Sequence, residues 1–176
     1  MVLSAPPEKW NDIFITESTT ENVERIRTAI EYFRAYLEWR EALPYLILNG
    51  EANQLPMMLS TAVNHYFPAD RILLVDCGRR PNGNTKTQFT TLKCDARFAG
   101  GSKCIVVVTS WYHIPRVARA IAANNRKNLC WNLLALPEEE SRLQILPNII
   151  DEEVQRILEG VTNGLLAAEP IPYLAE

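Results

Sequence analysis

Short apolar runs alternate with amphipathic helical segments along most of the sequence, and this alternation constrains the fold more than any other feature. Five runs have strand character, and a helical repeat follows each of the first four. The predicted strands are, in chain order, 12–17, 44–48, 71–75, 104–108 and 129–136. The predicted helices span about 20–40, 53–66, 85–98, 114–125 and 149–163. Strands separated by helices of this length indicate βαβ units and a parallel sheet.

The elements together predict a three-layer α/β/α sandwich with a Rossmann-like, five-stranded parallel sheet. Right-handed crossovers place helices on both faces of such a sheet, and the strand order 3-2-1-4-5 is favoured. The chain of 176 residues is long enough to be one domain with a full core. We expect that core over residues 12–136, followed by a C-terminal helix over 149–163.

Composition narrows the class of protein. A net charge of −3 and a pI near 5.5 disfavour a nucleic-acid surface or a basic membrane patch. No signal-peptide pattern and no apolar run long enough to span a membrane is found, which predicts a cytoplasmic protein. The four cysteines lack C-x-x-C spacing, so we expect no metal site and reduced thiols, with Cys104 and Cys130 buried in strands. The oligomeric state stays open.

Polar residues collect where predicted strands end, which is the edge of an open α/β sheet that binds ligands. Glu17 ends the first strand and Ser18 follows it, and Gly50 and Glu51 follow the second. The fourth strand ends in a polar segment that leads into a helix with Pro115 in its first turn, where a missing N–H costs nothing. The candidate ligand-binding residues are Ser18, Gly50, Thr85, Thr109, Ser110 and Arg116. The candidate catalytic residues are His113, Glu51 and Glu17.

Each candidate has a chemical role and a simpler alternative. Ser110, the amides after it and Arg116 would hold an anion, although Ser110 also fits a helix cap and Arg116 a surface salt bridge. His113 would act as an acid/base, paired with Glu17 or Glu51, because a histidine pKa near 6.5 suits proton transfer at neutral pH.

Glu51 and Thr85 also have simpler alternatives, and Cys77 is a further candidate. Glu51 also fits a solvated first-turn acid, and Thr85 with Gln88 fits a capping box. Cys77 is a weak nucleophile candidate, because no second histidine is obviously placed to activate it.

Several common signatures are absent. The sequence has no G-x-G-x-x-G after its first predicted strand, no G-x-x-x-x-G-K-[ST] and no G-x-S-x-G. A standard dinucleotide enzyme, a P-loop NTPase and an α/β-hydrolase are therefore disfavoured.

The motifs resemble the SanA/YdcF-like family, a bacterial group of Rossmann-like domains, over about residues 12–135. The strongest element is Val-Thr-Ser-x-Tyr-His-x-x-Arg, which the sequence matches from Val108 to Arg116. Weaker matches are Arg25-Ile26-Arg27-Thr28-Ala29, Asn49-Gly50-Glu51, Met57-Met58 and Asn84-Thr85. Lys86 and Thr87 stand where the family usually continues with glutamate and asparagine. The resemblance implies a ligand site at the sheet edge.

Two hypotheses for the function follow. The first is a small cytoplasmic enzyme that binds an anionic or nucleotide-type ligand at the carboxyl edge of the sheet, with a nucleotide or an S-adenosyl compound among the possible ligands. The second is a non-catalytic ligand-binding or regulatory module on the same fold. An enzyme needs a titratable group facing its ligand, whereas a sensor does not. The substrate and the reaction class stay open.

Overall fold

The computed structural model describes residues 2–3, 12–37, 44–78, 85–98, 103–124, 129–136 and 146–170. The chain divides into two compact units, Met1–Gly83 (the first unit) and Asn84–Glu176 (the second unit). The described strands are β1 (Val2–Leu3), β2 (Leu46–Gly50), β3 (Ile72–Asp76), β4 (Lys103–Thr109) and β5 (Leu129–Ala135). The described helices are α1 (Asp12–Leu37), α2 (Leu55–Asn64), α3 (Thr85–Cys94), α4 (Ile114–Asn124) and α5 (Leu146–Thr162).

The first unit is built on the parallel pair β2 and β3. Their register runs from Leu46 opposite Ile72 to Gly50 opposite Asp76, and the two-residue β1 pairs with β2 on its other side. Every residue of β2 is buried, as expected for a parallel strand covered on both faces. The helices contribute Ile26, Ile30, Phe33, Met58 and Ala62 to this core.

The second unit is built on the parallel pair β4 and β5, whose register runs without a break from Lys103 opposite Leu129 to Thr109 opposite Ala135. Helix α4 buries one face, which carries Val117, Ala118, Ala120 and Ile121. The ring of Phe89 in α3 meets the edge of Trp131 in β5, with 5.6 Å between ring centroids. In this unit helix α4 lies between β4 and β5 in the chain, as the alternation of strands and helices in the sequence predicts.

The predicted five-stranded sheet with residues 12–17 as its central strand is wrong. These residues form the first turns of α1, so they cannot be a central strand beside residues 106–108. Within the first unit β2 pairs in parallel with β3 and with the short β1, and within the second unit β4 pairs in parallel with β5. An apolar run as short as residues 13–15 fits a helix as well as a strand. Once a helix is nucleated, extending it costs little, which favours one long helix here.

The α/β class and the other four predicted strands are confirmed. Strand two is shifted by two residues, to Leu46–Gly50, and the other three lie within one residue of their predicted bounds. The C-terminal helix begins at Leu146, three residues before its predicted start, and residues 137–145 lie outside the described residues. The single-domain prediction stays a prediction.

Helix α5 is oriented differently from what its apolar pattern suggests. Three of its large apolar residues are exposed, namely Ile150 at 37%, Val154 at 46% and Leu158 at 55%. The buried positions include Glu153, which is only 3% exposed. An ionisable residue therefore lies on the inward side of this helix while several aliphatic residues face solvent.

Candidate functional site

The segment after β4 turns sharply and starts a helix within five residues. Ser110 has an extended backbone, and its carbonyl oxygen accepts a hydrogen bond from the amide of His113 at 3.0 Å, which closes a 3₁₀ turn over Trp111–His113. Helix α4 begins at the next residue, with Pro115 at its second position as the sequence predicts. The turn brings His113 and Arg116 to the carboxyl end of the strand.

Glu153 of α5 contacts both of these side chains. Its Oε2 atom lies 3.1 Å from Nδ1 of His113 and 2.9 Å from Nε of Arg116. The Glu153 side chain is 4% exposed, and those of His113 and Arg116 are each 12% exposed. A buried carboxylate thus joins α5 to the turn and to α4.

The guanidinium of Arg116 also lies against the imidazole of His113. Its Nη2 atom is 2.7 Å from Nε2 and 3.1 Å from Nδ1 of the ring. A guanidinium only donates, so the nearer nitrogen, Nε2, is the acceptor. The proton of a neutral ring then belongs on Nδ1, facing the carboxylate of Glu153. This assignment follows from the partners of each nitrogen.

Arg156 completes the charge balance around Glu153. Its Nη1 donates to the second carboxylate oxygen, Oε1, at 3.1 Å, and its Nη2 donates to Glu152 at 2.9 Å. Burial raises the pKa of Glu153, but the hydrogen bond and charge of His113 and the charges of Arg116 and Arg156 outweigh it. The net result is a pKa below the ordinary value, so Glu153 is ionised at neutral pH.

Two hydroxyl residues lie beside this cluster in sequence. Thr109 is fully buried, and its carbonyl oxygen accepts a hydrogen bond from the amide of Leu136 at 2.9 Å. Its Oγ1 atom has no hydrogen-bond partner within the part of the chain that the structure describes. Ser110 is 3% exposed, and its side chain makes no capping hydrogen bond to the turn that follows. Ser110 therefore occupies the N-cap position of the turn without a side-chain capping bond.

The end of β2 in the first unit carries a second polar cluster. Glu51 is 9% exposed, its amide donates to Oε1 of Gln54 at 3.0 Å, and its carbonyl oxygen accepts from the amide of Gln54 at 2.8 Å. The carbonyl oxygen of Gly50 accepts a hydrogen bond from the amide of Cys77 at 3.0 Å. Glu51 is therefore a buried residue of a tight turn, and its alternative role as a solvated first-turn acid is wrong.

The same cluster makes Cys77 unreactive. Burial first, and then the negative charges of Glu51 and Asp76, raise the pKa of the Cys77 thiol to about 11. A thiol with that pKa is almost fully protonated at neutral pH, and the thiolate is the nucleophilic form. This agrees with the expectation that Cys77 is not a catalytic nucleophile.

The structure places the sequence-predicted candidates in both units. Glu17 and Ser18 lie within α1 rather than after a strand, which corrects the prediction for these two residues. Thr85 begins α3 and is 4% exposed. The second unit brings His113 and Arg116 together after Thr109 and Ser110, whereas Gly50 and Glu51 belong to the first unit. A single pocket lined by all of them stays a prediction.

Sequence reasoning missed Glu153, because it ends no strand and belongs to no motif. The spacing of residues along α5 does give a usable signal. Glu153 lies four residues before Ile157 and seven before Gly160, so all three share one face of α5. Gly160 packs closely, since a Cβ there would lie 2.6 Å from the Leu166 side chain. A charged residue in phase with a close-packed glycine indicates a buried charge that needs partners.

The described residues give limits on membrane and metal chemistry. None of their helices combines the length and the apolar character needed to cross a bilayer. No group of three histidine, cysteine or acidic side chains in the described ranges is arranged to hold a metal ion. The chain matches no protein-family model, no curated protein and no solved structure.

Proposed function

We propose that this chain is a small cytoplasmic enzyme that binds an anionic, nucleotide-type ligand at the carboxyl end of β4, with His113 as the acid/base. The observation that supports it is the 3.1 Å contact between Nδ1 of His113 and the buried carboxylate of Glu153. A carboxylate on one ring nitrogen fixes the tautomer and orientation of the other, which is what acid/base catalysis requires. The resemblance to the SanA/YdcF-like family supports the same location.

In this proposal the residues have separate roles. Nε2 of His113 exchanges a proton with the ligand when Arg116 moves its Nη2 atom from the ring to the ligand's anionic group. Glu153 stabilises the imidazolium that forms, because its charge is already present and buried. Thr109 and Ser110 supply hydroxyl groups near the end of the strand.

A second candidate function is a non-catalytic ligand-binding module. One observation favours it, because His113 and Arg116 both pair with Glu153 inside the second unit. The cluster then stabilises the packing of α5, and the ligand is only sensed. The two functions differ in whether the protein converts its ligand.

The test starts from a ligand screen. Adenine nucleotides, S-adenosyl compounds and phosphosugars are screened by thermal shift against the wild type, Arg116→Lys and the control Arg119→Lys. Arg116→Lys keeps a positive charge for Glu153 but removes the two-pronged donor, so it should weaken binding about tenfold or more. The Arg119 side chain donates to the carbonyl oxygen of Pro115 at 3.2 Å, and among the described residues no ion pair joins it to Glu153, so its variant should bind normally.

Turnover is then measured by mass spectrometry of the ligand that binds. His113→Gln should abolish conversion while it preserves binding, and the control His65→Gln, at the end of α2, should convert normally. Binding without any conversion by the wild type would support the non-catalytic module. A ligand that stabilises the wild type and Arg116→Lys equally would contradict the proposed site.

A further inference from the structure

Two cysteines of the second unit lie directly opposite each other on neighbouring strands. Cys104 of β4 and Cys130 of β5 are register partners in the parallel ladder. Register partners point to the same face, and neighbouring strands lie about 4.8 Å apart. Disulfides form across Cα separations of about 4.4–6.8 Å. The backbone is therefore already at the separation that a disulfide requires.

Both thiols are exposed and free, whereas the sequence pattern predicted them to be buried. The face that carries them is exposed at the start of the two strands, although further along β4 the same face buries Val108. Asn132 lies on that face two residues after Cys130, and its Nδ2 atom donates to Sγ of Cys104 at 3.4 Å. The pair is thus open to small molecules, with a polar donor beside one sulfur.

We propose that Cys104 and Cys130 form a reversible dithiol–disulfide pair that reacts with low-molecular-weight disulfides such as glutathione disulfide. The thiolate of one cysteine attacks the disulfide, forms a mixed disulfide and releases one glutathione. The second cysteine attacks the protein sulfur of that mixed disulfide and releases the other glutathione. Overall, the two protein thiols lose two electrons and two protons, and glutathione disulfide is reduced to two glutathione thiols.

The electrostatics of the pair set its rate. Burial first, and then the hydrogen bond and charge of the neighbouring Cys130 sulfur, raise the pKa of the Cys104 thiol. Cys104 therefore holds its proton longer, which suits the second, resolving step. The reaction should be slow at neutral pH and faster in mild alkali, because the thiolate is the attacking form.

Oxidation would act on the segment between the two cysteines. The closed loop runs from residue 104 to residue 130 and contains the turn and α4, with His113 and Arg116. A cross-link over a loop of this length restricts the unfolded chain and raises the thermal midpoint, by about 5–10 °C for a protein of this size. This inference does not depend on the function proposed above.

The first test is peptide mapping of the full chain after incubation with glutathione disulfide at pH 8. The wild type should give a peptide pair joined through Cys104 and Cys130, with the loss of two hydrogens. The matched control is Cys94→Ser, which removes another exposed cysteine and should give the same product. Cys104→Ser should stop at the mixed disulfide on Cys130. A wild type that carries only mixed disulfides, or only links between molecules, would overturn the proposal.

The second test needs no oxidation. Phenylarsine oxide bridges two neighbouring thiols, so the reduced wild type and Cys94→Ser should bind it at one equivalent per chain. Cys104→Ser and Cys130→Ser should each bind it at least about tenfold more weakly, because a single thiol cannot chelate the arsenic. Circular dichroism of the serine variants checks that the fold is retained. Equal binding by the wild type and Cys130→Ser would show that the two sulfurs do not act as a pair.

Discussion

The ends of β2 and β4 are both polar and buried, but they are stabilised in different ways. After β2, Glu51 is held by Gln54, only three residues away, through backbone and side-chain hydrogen bonds. After β4, His113 is held by Glu153, which lies forty residues further along the chain. At the first cluster, burial and then the charges of Glu51 and Asp76 raise the pKa of Cys77, whereas the second balances a carboxylate with cationic groups. A short-range turn fixes the backbone, while the long-range ion pair ties separate elements together.

The strongest test of this comparison is Glu153→Ala. The change leaves Arg116 and Arg156 without their shared buried anion, so we expect the free energy of unfolding to fall by about 3–5 kcal/mol. Glu152→Ala is the matched control, because the Glu152 side chain is 60% exposed and its pair with Arg156 is worth at most about 1 kcal/mol. Urea unfolding of both variants measures the difference. Equal effects would mean that the cluster after β4 adds no more than an exposed ion pair.

The next largest effect concerns the reactivity of Cys77. A rise in pKa from 9.0 to about 11 lowers the thiolate fraction at neutral pH by about 100-fold. We therefore expect iodoacetamide to label Cys77 at least about 100-fold more slowly than the exposed Cys94, with peptide mapping as the measurement. Labelling in denaturant should remove the difference. Similar rates in the folded protein would contradict the acidic, buried environment of the cluster after β2.

A smaller effect is expected for Gln54→Ala. The substitution removes the buried acceptor of the Glu51 amide, and the net loss of one such hydrogen bond is about 1 kcal/mol. Gln155→Ala on α5 is a suitable control, because that residue is exposed. If Gln54→Ala destabilised the protein as much as Glu153→Ala, the distinction between the two strand ends would be lost.

The smallest effect is the acid dependence of the Glu153 cluster. The folded pKa of Glu153 lies below its ordinary value of 4.5, because its cationic neighbours outweigh the opposing effect of burial. Its contribution to stability is therefore complete above about pH 4.5 and is lost as the pH falls through the folded pKa. The stability advantage of the wild type over Glu153→Gln should shrink in that acid range. An advantage that grew on acidification would have the wrong sign.

The sequence predicted local features better than distant ones. Strands β3, β4 and β5 have the strong apolar or β-branched character of buried strands, and the polar break after Val108 located the turn that holds His113 and Arg116. Residues 13–15 were misassigned, because a short apolar run does not distinguish a strand from the start of a helix. Only the extension of α1 through these residues shows which is present.

The candidate site was predicted only in part, for a related reason. Thr109, Ser110, His113 and Arg116 follow one strand, so their closeness needs no knowledge of the rest of the fold. Glu153 reaches them only because α5 packs against the turn and α4. From their apolar character, Ile150, Val154 and Leu158 suggest that their own face of α5 packs inward. In the structure these three residues are exposed, and Glu153 is buried instead. The orientation of a helix depends on its partners, and the apolar residues of α5 alone indicate the wrong face.

The forty residues between His113 and Glu153 also set an order of events during synthesis. A ribosome adds about 5–20 residues per second, so Glu153 is made about 2–8 s after His113. Throughout that interval the nascent chain has the histidine and Arg116 but not the carboxylate that pairs with both in the finished protein. The end of β4 therefore gains its final set of charged partners only after α5 has been translated.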